Sequence, residues 1–145
     1  MGPLLAERLG RPFIDLDTHI ERIAGLTVAQ IFQAEGEAGF RRREADALKR
    51  VLGGEPAVIA LGGGAVVDPV SRALIRAEAV LITLTAEPAT LRARLADCGG
   101  RPLAAGDPLA RLAGRAEAYA DCDLTVPTDG QRPEQIAAAI AEAVA

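Results

Sequence analysis

A three-layer α/β/α domain on a mostly parallel sheet is the fold this sequence predicts. Short apolar runs rich in β-branched residues recur along the chain and alternate with helical patterns. Such alternation builds βαβ units, whose strands run parallel because each crossover returns the chain to the same end of the sheet. Glycine and proline punctuate the junctions. The 145 residues, 50% of them hydrophobic, are enough for one substantial core, so a single domain spanning residues 1–145 is expected. Aromatic residues make up only 3% of the chain, so Ala, Leu, Val and Ile must build that core.

Residues 3–9 read as a short helix, with Pro3 at its start and Gly10 closing it. Residues 12–17, PFIDLD, alternate apolar and acidic side chains and predict a short strand ending in a carboxylate. Asp17 could also cap a helix running to Ala24, and Thr27 could cap another through Ala34. Residues 37–52 form the longest helical pattern, with Phe40, Ala45, Leu48, Val51 and Leu52 as its apolar stripe. A buried strand is predicted from Val58, followed by helix 69–76 and a strand at 80–84. Residues 87–96 are helical in pattern, and 98–108, rich in Gly, Pro and Ala, form a loop. A helix over 109–119, a strand at 124–126 and a helix over 133–144 close the chain.

Charge and composition exclude several classes of function. A net charge of −4 and a pI near 5.0 argue against a general nucleic-acid binder, which needs a basic face. No apolar run approaches the roughly 18 residues needed to span a bilayer. No basic segment followed by an apolar one marks a signal peptide. Cys98 and Cys122 match no metal-ligand spacing and are expected to be free thiols in the cytoplasm.

Three groups of residues point to chemistry. VIALGGGAV, residues 58–66, places Gly62, Gly63 and Gly64 at the carboxyl end of a strand, where ligands bind in open α/β sheets. Glycine allows positive φ and close approach of the backbone to a ligand, although a simple tight turn would use the same residues. Asp15 and Asp17, two apart at a strand end, are expected to share one face. There they could hold a metal-bound water and orient a hydroxyl, or serve as a helix cap and a solvated charge. Arg41, Arg42 and Arg43 stand at the start of a helix, where cations oppose its dipole. An anionic ligand could compensate them, since guanidinium pairs bidentately with carboxylate or phosphate. Pairing with Glu37 and Glu44 on a solvated basic face would do so as well. Arg101 lies in the 98–108 loop and Arg115 on the helix after it, so Arg101 is placed to close over phosphates as a lid group. His19, the only histidine, has no partner at useful spacing and reads as a surface residue.

In order along the chain, LLAERLGRPFIDLD, HIERIAGLTVAQIF, EGEAGFRRRE, VIALGGGAV, RPL and the Arg-x-x-x-Tyr at Arg115 and Tyr119 resemble the shikimate kinase family over nearly the whole length. The resemblance implies a nucleoside-monophosphate-kinase-like, P-loop kinase fold. It implies transfer of the ATP γ-phosphoryl group to the 3-hydroxyl of shikimate, with Mg²⁺. It assigns Asp17 to the substrate hydroxyls, Arg41 and Arg115 to the shikimate carboxylate, and Gly62, Gly63 and Gly64 to a place along the ring. It assigns Asp15 to Mg²⁺ through water, Arg101 to the ATP phosphates as a catalytic group, and Gln131 to the neighbourhood of the adenine. These roles suit phosphoryl transfer, which asks mainly for positioning and charge stabilisation. Shikimate and ATP are thus the expected partners of a monomeric cytoplasmic chain.

The family's opening strand and G-x-x-x-x-G-K-[ST] loop have no counterpart in these residues, and Gly62, Gly63 and Gly64 are not followed by Lys-Ser or Lys-Thr. RPLA also stands where RPLL is usual, in a lid that looks short. The expectation is therefore a chain whose strand and loop lie upstream. On their own, these 145 residues should bind ATP poorly and have negligible kinase turnover. Without that central strand, the strands at Val58 and Val80 must pair directly or leave backbone groups unpaired. A non-catalytic carboxylate-binding or regulatory domain of the same fold remains an alternative, as does another small-molecule kinase.

Overall fold

A computed structural model describes residues 1–97 and 108–145. Four strands are present, β1 (Phe13–Asp15), β2 (Val58–Ala60), β3 (Ile82–Thr85) and β4 (Leu124–Pro127). They form two parallel ladders, β1 with β2 and β3 with β4. The expected parallel sense is present in both. Direct pairing of the strands at Val58 and Val80 is not: among the described residues, β2 and β3 share no ladder. The second of the two sequence expectations therefore holds, with one edge of each strand open.

Helices cover both faces. Along β2 the alternation of side chains sends Val58 one way and Ile59 the other. Val58, together with Ile82 of β3 and Val126 of β4, packs on α1 (Gly2–Leu9) and α8 (Pro133–Val144) through Leu5, Ile136, Ala137 and Ile140. That helix pair thus bridges the two ladders. Ile14 and Ile59 face the larger cluster on the other side, which buries Leu16 and Ile20 of α2 (Leu16–Ala24). It also takes Ile31, Phe40, Leu48 and Val51 of α3 (Val28–Leu52), and Ile75 of α4 (Pro69–Glu78). The result is the expected three-layer order.

Most boundaries follow from caps. Gly10 closes α1, Asp68 caps α4 through the Ser71 N–H, and Thr27 opens α3 with a reciprocal Gln30 box. The two helices expected on either side of residue 35 form one α3 span broken at Gly36, where φ is 70° and ψ is −176°. That region is accessible essentially to glycine alone. The helix expected over 109–119 is split at Arg115 into α6 (Pro108–Gly114) and α7 (Ala116–Ala120). Helix α5 (Pro88–Asp97) follows β3, and most of the expected 98–108 loop, Arg101 included, lies outside the described residues.

Candidate active site

The local fold around Asp15 and Asp17 differs from the sequence expectation. β1 stops at Asp15, whose Oδ1 accepts from the Thr18 N–H at 3.1 Å and so caps α2. A cap forces the next residues into helix, so Asp17 sits in the first turn of α2 rather than across a strand face from Asp15. The turn carries the Asp17 carboxylate to Gly62: a Cβ built there would lie 2.9 Å from its Oδ1.

Each of the three glycines leaves room for a different side chain. At Gly63 a Cβ would meet the Arg115 Nη1 at 2.8 Å and the Tyr119 hydroxyl at 3.1 Å, and at Gly64 it would collide with the Arg41 guanidinium. None of the three has positive φ, so the expected left-handed turn is absent. Glycine is required here for close approach. Asp17, Arg41 and Arg115, which come from three different helical segments, converge on one glycine turn.

Of the three clustered arginines, only Arg41 lines this site. Its Nη1 donates to the Glu44 Oε1 at 2.8 Å, and its Nη2 lies 3.7 Å from Glu37. Arg43 instead turns back to Glu35 at 2.7 Å, and Arg42 is exposed. The expected local pairing with Glu37 and Glu44 is therefore made by Arg41, the same arginine that lines the cavity, while Arg43 pairs with Glu35 instead.

Glu44 is the residue that sequence reasoning undervalued. It had been counted as a local charge partner, yet it is 5% exposed and its Oε2 is buried with no hydrogen-bond partner. Asp17 Oδ1 is likewise buried and unpartnered, and Glu44 Oε2 lies 3.4 Å from the Gly62 Cβ position. Burial pushes both carboxyls above their ordinary range; the charges of Asp15 and Glu21 add to it at Asp17 and that of Asp17 at Glu44, while the Arg41 guanidinium pulls against both. The available signal was its i,i+3 spacing from Arg41, which places both on one helix face.

A cavity of ≈ 380 Å³ adjoins the turn, lined by Glu37, Arg41, Glu44, Ala45, Gly64, Val67, Asp68, Ser71 and Arg115. A separate hollow of ≈ 470 Å³ on α2 and α3 is open surface, and none of the expected site residues line it. Gln131 stands apart, beyond β4, with its side-chain amide donating to the Pro127 carbonyl at 2.9 Å. Among the described residues no three His, Cys, Asp or Glu side chains cluster as a metal site. His19 is half-buried on α2 and has no assigned role.

A sequence model of the family described as "Shikimate kinase" matches residues 1–145. The chain belongs to the shikimate kinase family. The shikimate kinase of Symbiobacterium thermophilum is 48% identical over 150 residues, covering 98% of this chain and 86% of that protein. The shikimate kinase of Geobacter sulfurreducens is 38% identical, covering 97% and 81%. Among solved structures, shikimate kinase from Acinetobacter baumannii in complex with shikimate matches with a TM-score of 0.86 at 31% identity. That match covers 99% of this chain and 83% of the other. The Aquifex aeolicus shikimate kinase gives a TM-score of 0.82 at 28% identity, covering 99% and 85%. The shikimate kinase family fold and the two open parallel ladders therefore describe one architecture.

Proposed function

We propose that this chain is a shikimate kinase that accepts the ATP γ-phosphoryl group on the 3-hydroxyl of shikimate. One observation carries the reading: two guanidinium groups and a carboxylate occupy the three places that side chains on Gly62, Gly63 and Gly64 would fill. Arg41 and Arg115 suit an organic carboxylate, because planar donors match its two oxygens. Asp17 suits hydroxyls, since its buried Oδ1 has no donor until a ligand brings one. A raised carboxyl next to that hydroxyl can also take up its proton during transfer.

On the donor side the assignments are Arg101 on the ATP phosphates, Asp15 on Mg²⁺ through water, and Gln131 near the adenine. Asp15 uses only Oδ1 in its cap, which leaves Oδ2 for a water-bridged cation. When bound, MgATP supplies the phosphoryl group, while this chain's own residues hold and orient the acceptor. Every acceptor group named comes from one chain, so a monomer suffices. No helix among the described residues is long and apolar enough to cross a membrane, and the cytoplasm is the proposed compartment.

Calorimetric titration with shikimate and with its methyl ester tests the acceptor site. Shikimate is expected to bind, and the ester, which lacks the negative charge, at least roughly tenfold more weakly. Equal affinity for the two would remove the guanidinium clamp.

A further inference from the structure

We propose that Tyr119 is a positioning residue of the acceptor site. Its hydroxyl pins the Gly63 carbonyl and so aims the Gly64 N–H and the Arg115 guanidinium at the acceptor carboxylate. This rests on the shikimate reading above. Arg115, the residue just ahead of α7, and Tyr119 within it are four apart, and the Tyr119 N–H donates to the Arg115 carbonyl at 3.0 Å, closing one turn between them. Both reach the same glycine. The Tyr119 hydroxyl donates to the Gly63 carbonyl at 2.6 Å, and the Arg115 Nη1 lies beside the Gly63 α-carbon.

The peptide plane converts that bond into an orientation. In a trans peptide the carbonyl and the following N–H point in opposite directions, and no peptide bond among the described residues is cis. With the Gly63 carbonyl held toward α7, the Gly64 N–H must face away from it. Among the described residues, the Gly64 amide donates to no protein acceptor. The Gly64 α-carbon lies against the Arg41 guanidinium, since a Cβ there would collide with it, and that is where the acceptor carboxylate is expected.

The other end of Tyr119 is fixed too. The Thr83 hydroxyl of β3 donates to the Tyr119 carbonyl at 2.8 Å. One residue thus spans from β3 to the turn after β2, across two ladders that do not pair. Its ring packs on the larger apolar cluster. Phenylalanine would keep that packing and lose only the pin.

Tyr119→Phe is therefore the test. Its shikimate dissociation constant is expected to rise roughly fivefold, the scale of one hydrogen bond, while the melting temperature stays unchanged. Amide exchange should quicken at Ala65 and Val67, whose N–H groups close the turns onto Gly62 and Gly64, but not along β1 or α3. Unchanged affinity would overturn the proposal. So would a lower melting temperature with uniformly faster exchange, which marks a purely structural tyrosine. Should the unaltered chain fail to bind shikimate, the acceptor reading falls and exchange alone decides the pin. Local quickening then upholds it, and its absence overturns it.

Discussion

The two ladders end in opposite kinds of polar chemistry. Beyond β3 and β4 the charged groups are matched within the protein. Asp129 accepts from the Glu87 N–H at 3.0 Å and from the Thr90 hydroxyl at 2.5 Å, and Arg94 donates to Thr128. At the other end of this ladder, just ahead of β3 and β4, Asp123 accepts from the Leu81 N–H and from Arg76. These donors hold both carboxyls below their ordinary range, the Leu81 amide most for Asp123 and the Thr90 hydroxyl most for Asp129. At the glycine turn after β2, Asp17 and Glu44 keep buried oxygens without donors, and burial pushes both upward. An unmatched buried oxygen costs about 1–3 kcal/mol, which scaffolding avoids. Such a deficit is tolerable where a ligand's hydroxyls or counter-charges arrive to fill it.

The contrast would break most visibly on the donor side. These residues contain an acceptor pocket but no G-x-x-x-x-G-K-[ST], and the edges of β2 and β3 that would flank such a strand are unpaired. Joining a strand and that loop ahead of Met1 is expected to raise ATP-dependent shikimate phosphorylation by roughly 10²-fold or more, while shikimate affinity stays constant. Ordinary kinase turnover of about 1–100 s⁻¹ by the 145 residues alone would show that the donor half was already complete. Next in size is Arg41→Ala, which removes one arm of the clamp and strands Glu44 without the hydrogen bond that Arg41 donates. Shikimate binding should weaken by roughly 2–5 kcal/mol with ATP affinity untouched, both read by calorimetry. An unchanged shikimate affinity would mean that the carboxylate binds elsewhere.

What the sequence disclosed depended on the range of the forces involved. Local signals were legible: Pro3, Thr27, Gly10 and the apolar stripe of α3 placed helices close to where they lie. Asp15 was harder, because strand alternation and capping compete at the same residues, and only the Thr18 hydrogen bond decides between them. The split of α6 from α7 at Arg115 left no mark in the periodicity. At the site, residue types singled out Asp17, Arg41 and Arg115, which the fold brings to one turn. The reason for three glycines did not show, since it depends on Asp17, Arg41 and Arg115 arriving from distant segments. The reading of Glu44 was incomplete for the same reason: its expected pairing with an arginine of the cluster is present, whereas its burial beside Asp17 is a tertiary fact.

Glu44→Gln tests that burial at the smallest scale. A carboxyl whose native value is raised binds its proton more tightly folded than unfolded. Its contribution to stability is full below the ordinary value of 4.5 and is lost as pH rises through the raised native value. Above that raised value the unliganded chain carries a buried charge that faces Asp17 and is only partly offset by Arg41 and Arg115. Glutamine cannot ionise, so the variant is expected to be more stable near pH 7 by about 1 kcal/mol. The gain should shrink toward pH 4.5, where the native glutamate is itself protonated. Asp68, Asp123 and Asp129 titrate in both proteins with the opposite sign and cancel in the difference between the two thermal melts, which reports Glu44 together with its coupling to Asp17. Shikimate affinity should fall in the same variant, because the charge that orients Arg41 has gone. Stability gained with binding lost would place Glu44 in the site, as expected where function asks for a strained arrangement. Loss of stability at every pH would place it instead with the matched carboxylates at the two ends of β4.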